Sequence, residues 1–225
     1  MDLIKKLFSR EGRFPLAAFS LTAAAVNLLA YYVPKLITLN VPMHSMEISL
    51  DYLIPFIPAT IVIYAGAFIQ WAVYYFRTAA SGSAPVSRFL TAEIIAKIVC
   101  AVSFIVYPAT VGRPLAEGRD IFSVLTNFMF AVDVPTCIFP SIHCLQSWLC
   151  MRFALGRKEL SVPRKIFCVI FTLAVCVSTV TMKQHAIVDV PAGILLAEVC
   201  LALSPHLKLT RWAKSRMDAW LGGEM

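Results

Sequence analysis

The chain has 225 residues, 59% of them hydrophobic and 15% charged. Soluble domains carry about a quarter charged residues, so this composition excludes an ordinary water-soluble protein and suits one membrane domain over residues 1–225. The net charge of +7 does not mark a nucleic-acid binder, because the basic residues sit in short groups between apolar runs rather than along one groove.

Six apolar runs are long enough, or nearly so, to cross a hydrocarbon core as helices. In chain order they are Phe14–Val33, Tyr52–Phe76, Phe89–Tyr107, Ile138–Leu155, Ile166–Met182 and Ala186–Ser204. The first follows a basic start (Lys5, Lys6, Arg10, Arg13) and is too long for the core of a signal peptide, so it reads as a retained span. Between the third and fourth runs, Ile121, Phe122, Leu125, Phe128 and Met129 fall at helical spacing opposite Asp120, Ser123, Thr126 and Asn127. This segment predicts an amphipathic helix lying in the headgroup plane, or an ordinary packed loop helix. The predicted fold is therefore an all-α integral membrane protein, a six-transmembrane helix bundle with an outer interfacial helix.

Basic residues orient the spans. Lys5, Lys6, Arg10, Arg13, Arg77, Arg88, Arg152, Arg157, Lys158, Arg164, Lys165, Lys208, Arg211, Lys214 and Arg216 occupy one set of connections. Only Lys35, Arg113, Arg119 and Lys183 occupy the other. Positive-inside places both termini in the cytoplasm and turns 34–51, 108–137 and the Lys183 turn outward.

Glu93 and Lys97 lie four apart inside the third run, where an ion pair or a snorkelling pair is expected. His44 and His206 read as solvated groups at span ends, and Glu47 and Asp51 as candidates to shape an outer vestibule. The seven cysteines include no C-x-x-C pair and mostly lie in apolar runs, which reads as core packing rather than a disulfide or metal framework.

Chemistry concentrates in three outward pieces. Phe139-Pro140-Ser141-Ile142-His143 opens the fourth run, and Lys183-Gln184-His185-Ala186-Ile187-Val188-Asp189 leads into the sixth. On a helix, His185 and Asp189 would share a face, letting the carboxylate hold the imidazole. Arg113, in Tyr107-Pro108-Ala109-Thr110-Val111-Gly112-Arg113-Pro114, adds a guanidinium beyond the third run. Ionisable groups at such depth default to functional hypotheses.

At these residues the chain resembles the type-2 phosphatidic acid phosphatase superfamily, whose ordered motifs are Arg-Pro, Pro-Ser-x-His, and His with Asp four residues later. They appear here as Arg113-Pro114, Pro140-Ser141-Ile142-His143, and His185 with Asp189, all within residues 107–189. Asp51-Tyr52-Leu53-Ile54-Pro55-Phe56-Ile57-Pro58 is similar to the branch containing inositol phosphorylceramide synthase and sphingomyelin synthase. The resemblance implies that His185 attacks phosphorus, Asp189 fixes its tautomer, and His143 serves as acid and then base, with Arg113 and Ser141 holding phosphate oxygens. It implies no cofactor and no metal. Two family cations are missing, their positions being Val106 and Thr179, which suits a phosphodiester better than a monoester dianion. Lys183 is a candidate replacement, or else a snorkelling surface residue.

The function implied is a metal-independent lipid phosphatase working through a phosphohistidine, with a membrane lipid as partner and substrate. The alternatives are a lipid headgroup phosphotransferase and, from another class, a non-catalytic membrane transporter or lipid-binding protein. The expected location is the plasma membrane, with the active site on the outer face.

Overall fold

A computed structural model describes residues 10–222, with side chains from 18 to 219. Lys5, Lys6 and the side chains of Arg10 and Arg13, expected to anchor the amino terminus, lie outside the described residues. The described residues are mostly helical: α1 (Arg10–Ile37), α2 (Ile61–Ala79), α3 (Ser83–Val106), α4 (Ile121–Val132), α5 (Ile142–Leu155), α6 (Val162–Thr181), α7 (Asp189–Leu203) and α8 (Lys208–Gly222). Two-residue strands β1 (His44–Ser45) and β2 (Ala109–Thr110) pair in parallel, His44 opposite Ala109.

Among the described residues, four helices are long and apolar enough to cross a membrane: Ala18–Ile37 of α1, Pro58–Ala79 ending in α2, α3 and α6. A fifth is possible by length if α7 and α8, bent by 65° at His206–Lys208, form one broken span. Large apolar side chains cover the outer surface of α1, α2, α3, α6 and α7, including Leu21, Ile69, Val102, Ile170 and Leu195. Such a surface is compatible with an integral membrane protein.

The fourth apolar run behaves differently from the expectation. Its helix starts only at Ile142, and fourteen residues rise about 21 Å, short of a hydrocarbon core about 30 Å thick. α5 packs on α2, α3, α6 and α7 and buries Gln146 and Ser147 along with its apolar residues. A helix surrounded by protein need not be apolar on every side. Trp71 Nε1 donates to Ser147 Oγ at 2.9 Å, and Gln70 Nε2 to Thr172 Oγ1 at 2.8 Å, tying α5 and its neighbours together. The second run also begins later as an α-helix, because Pro55 and Pro58 break residues 49–60 into two short 3-10 turns.

α4 is amphipathic, with its polar side turned inward. Ser123 and Thr126 are buried, whereas Phe128 is 64% exposed and Ile121 and Val124 face outward. Asp120 caps the helix, its carboxylate accepting from the Phe122 and Ser123 amides.

The alternating chain direction brings the ends of α1, α3 and α6 and the starts of α2, α5 and α7 together at one end of the bundle. There Ile57 N–H donates to the Thr181 carbonyl, Ser141 N–H to the Asp189 carbonyl, and Ala109 bridges to Cys137. All three motif pieces lie at this end.

Candidate active site

Asp189 is the first residue of α7 and fully buried, and His185 sits in the turn before it rather than on the helix. The pair therefore meets through that turn and not across a helical face. His185 Nδ1 lies 3.0 Å from Asp189 Oδ2, which also accepts from the Ala186 amide at 3.0 Å. With Nδ1–H donating to the carboxylate, the lone pair of the neutral ring resides on Nε2. The turn is braced from α6: the Thr179 carbonyl accepts from both the Gln184 and His185 amides.

His143 lies in the first turn of α5, wedged among aromatic rings of α2. Tyr64 stacks on it at 4.1 Å and Trp71 leans on it at 5.0 Å, and the Tyr64 hydroxyl is 3.3 Å from Nδ1. Its Nε2 has no partner. The two imidazole centroids are 6.3 Å apart, close enough for one phosphoryl group to touch both.

Ser141 is the N-cap of α5, its Oγ accepting from the Cys144 amide at 3.3 Å. Fully buried, it is bound to helix geometry and to the Asp189 carbonyl through its own amide. Gly193 makes this junction possible, since a Cβ there would come within 2.6 Å of the Ser141 carbonyl oxygen. α5 and α7, which carry His143 and Asp189, thus touch backbone to backbone.

Arg113 donates to the Asp133 carbonyl and the Gln184 side-chain oxygen and lies 5.0 Å over the Phe130 ring. Burial pulls its pKa down, with the Asp133 carboxylate opposing the shift. Among the described residues, its buried Nε has no partner.

These groups border a cavity of about 590 Å³ whose walls include Arg113, His143, Gln184 and His185 together with residues of α1, α2 and α4. Leu28, Tyr32 and Phe68 line it and are also exposed on the outer surface, so it opens on the flank between α1 and α2. A second, more open cavity of about 560 Å³ lies beside it, bordered by Glu47, Asp51, Arg113 and Lys183. Arg113 is the residue common to both.

The structure thus gathers His143, His185, Asp189 and Arg113; Ser141, bonded through its amide to the Asp189 carbonyl, does not border the cavity, and Lys183 faces the second one. Lys183 Nζ donates at 2.7 Å to the Asp51 and Ile54 carbonyls and borders only the second cavity. Its ammonium pins the entry of α2 to the His185 turn. Neither Val106 nor Thr179, the positions where the resembled family carries cations, borders this cavity: Val106 is 75% exposed, and the Thr179 side chain is buried against Cys144. Tyr64 and Asp133 join the site without a sequence signal, and Gln184 joins it from the turn that already carries His185. Glu93 and Lys97 do not pair. Glu93 accepts from Asn27 at 3.0 Å and from Tyr75, while the Lys97 ammonium is fully buried with no partner.

No family model matches the chain, and no solved structure matches it. Among the described residues, no three His, Cys, Asp or Glu side chains converge as a metal site would need.

Proposed function

We propose that this protein is a membrane-embedded enzyme of the type-2 phosphatidic acid phosphatase kind, cleaving a lipid phosphate ester through a phosphohistidine. The observation that carries the reading is the Asp189-held His185, with its Nε2 lone pair free, in a cavity shared with His143 and Arg113 and open at the flank of an apolar bundle.

In this reading His185 Nε2 attacks phosphorus as the bond to the ester oxygen breaks, and His143 gives that oxygen its proton. His143 then takes a proton from water, whose oxygen attacks the phosphohistidine and breaks the P–N bond. Arg113 steadies the charge that develops on the phosphoryl oxygens. Asp189 stabilises the imidazolium character that His185 acquires.

A headgroup phosphotransferase uses the same steps with an alcohol replacing water. The second cavity beside Arg113 favours keeping that reading, since it gives a polar molecule its own approach. The bundle then has six crossings, counting the enclosed α5 and the bent α7–α8 pair, with α4 at the interface presenting Ile121, Val124 and Phe128 to lipid. Both termini face the cytoplasm, and the site faces outward at the plasma membrane.

The test is to incubate purified protein in EDTA with lipids labelled at phosphate, with and without alcohol acceptors, then quench and look for acid-labile label on the chain. Label on the wild type and none on His185→Ala supports the reading. Substrate crossing a vesicle membrane without turnover would replace it with the transporter.

A further inference from the structure

The sequence lacks two of the cations that the resembled family carries, and Lys183 is held on two carbonyls outside the histidine cavity. Lys35, near the end of α1, borders that cavity together with Arg113, His143 and His185. Its Nζ lies 3.3 Å from Asp133 Oδ1, and the two side chains are 18% and 27% exposed. Asp133 ties the two cations into one group, its carboxylate meeting Lys35 and the Tyr31 hydroxyl while its backbone carbonyl accepts from Arg113.

The Lys35 contact is long for a charge-assisted hydrogen bond, which is usually about 2.7–2.9 Å. An ammonium also has three donors, and Asp133 engages one of them. Among the residues bordering the cavity there are two fixed cations, Lys35 and Arg113, and one carboxylate, Asp133.

We infer that Lys35 is the second phosphate-binding cation of this site, and that Asp133 is a resident counter-ion which the substrate's phosphate group displaces. This rests on reading the cavity as a phosphoester site. The cation thus comes from α1, far from the motif positions in sequence.

A merely structural Lys35–Asp133 tie and a binding site predict different signs. The probe is inorganic phosphate, its dissociation constant measured on the full-length protein in lipid nanodiscs, alongside KM and kcat for a phosphodiester lipid. Lys35→Gln should weaken phosphate binding about tenfold, as loss of one charge-assisted contact does, and raise KM more than it lowers kcat. Lys35→Arg should restore binding. Asp133→Asn should tighten it, because the competing carboxylate is gone while the backbone carbonyl that holds Arg113 remains.

Wild-type affinity in a folded Lys35→Gln protein overturns the proposal, as does equal weakening in Lys35→Gln and Asp133→Asn. Should Lys35→Gln not fold, the Asp133→Asn result decides: unchanged or weaker binding overturns the assignment. A wild type that neither binds phosphate nor carries label on His185 removes the functional reading itself. A labelled wild type with an indifferent Lys35 removes only this inference.

Discussion

At the scale of single residues, the site depends on which hydrogen bonds are already made. Asp189 commits His185 Nδ1 and leaves Nε2 for chemistry. Asp189→Asn should therefore keep the fold and lower kcat on the order of a thousandfold or more, because the amide no longer enforces the reactive tautomer. Single-turnover rates beside thermal melts check this, and near-normal turnover in a folded variant would contradict it. Lys183 has φ +53, a left-handed conformation for a side-chain-bearing residue, offset by its two carbonyl bonds. Lys183→Met should cost about 1–3 kcal/mol of stability and leave phosphate affinity as it was, measurable by denaturation and phosphate titration. His143, His185, Asp189 and Arg113 were legible because their motifs name them. Lys35, Tyr64 and Asp133 were not, since they reach the site only through tertiary packing, which short-range spacing does not encode.

At the scale of elements, one contact sets the distance between the proposed catalytic groups. Gly193 lets α7 rest on the start of α5, where Ser141 and His143 sit. Gly193→Ala must push against the Ser141 carbonyl, and such overpacking typically costs about 1–3 kcal/mol. The expected result is a lower melting temperature together with a lower kcat, because the shift separates His143 from the His185–Asp189 turn. Unchanged values for both would show that the junction yields easily. Thr179, where the resembled family carries an arginine, is enclosed between α5 and α6 and does not border the cavity. Apolar runs located α1, α2, α3 and α6 well. They overstated the fourth run, because hydrophobicity alone does not distinguish a helix facing lipid from one enclosed by protein.

For the whole molecule, sidedness is the open quantity that chemistry can read directly. All seven cysteines are buried, so single introduced cysteines give a clean signal. Leu115 and Lys158 are exposed at opposite ends of the bundle. On the proposed topology, an impermeant thiol reagent labels Leu115→Cys on intact cells and Lys158→Cys only after permeabilisation. The reverse pattern would place the site in the cytoplasm.

The cavity mouth between α1 and α2 has a kinetic consequence. A substrate that enters from the flank of the bundle arrives by two-dimensional diffusion, so its effective concentration is a mole fraction among lipids. Adding inert detergent or lipid at fixed total substrate and enzyme should slow turnover in proportion to the dilution of the surface. A rate that followed bulk molarity instead would mean the substrate arrives through water, by way of the second cavity beside Arg113.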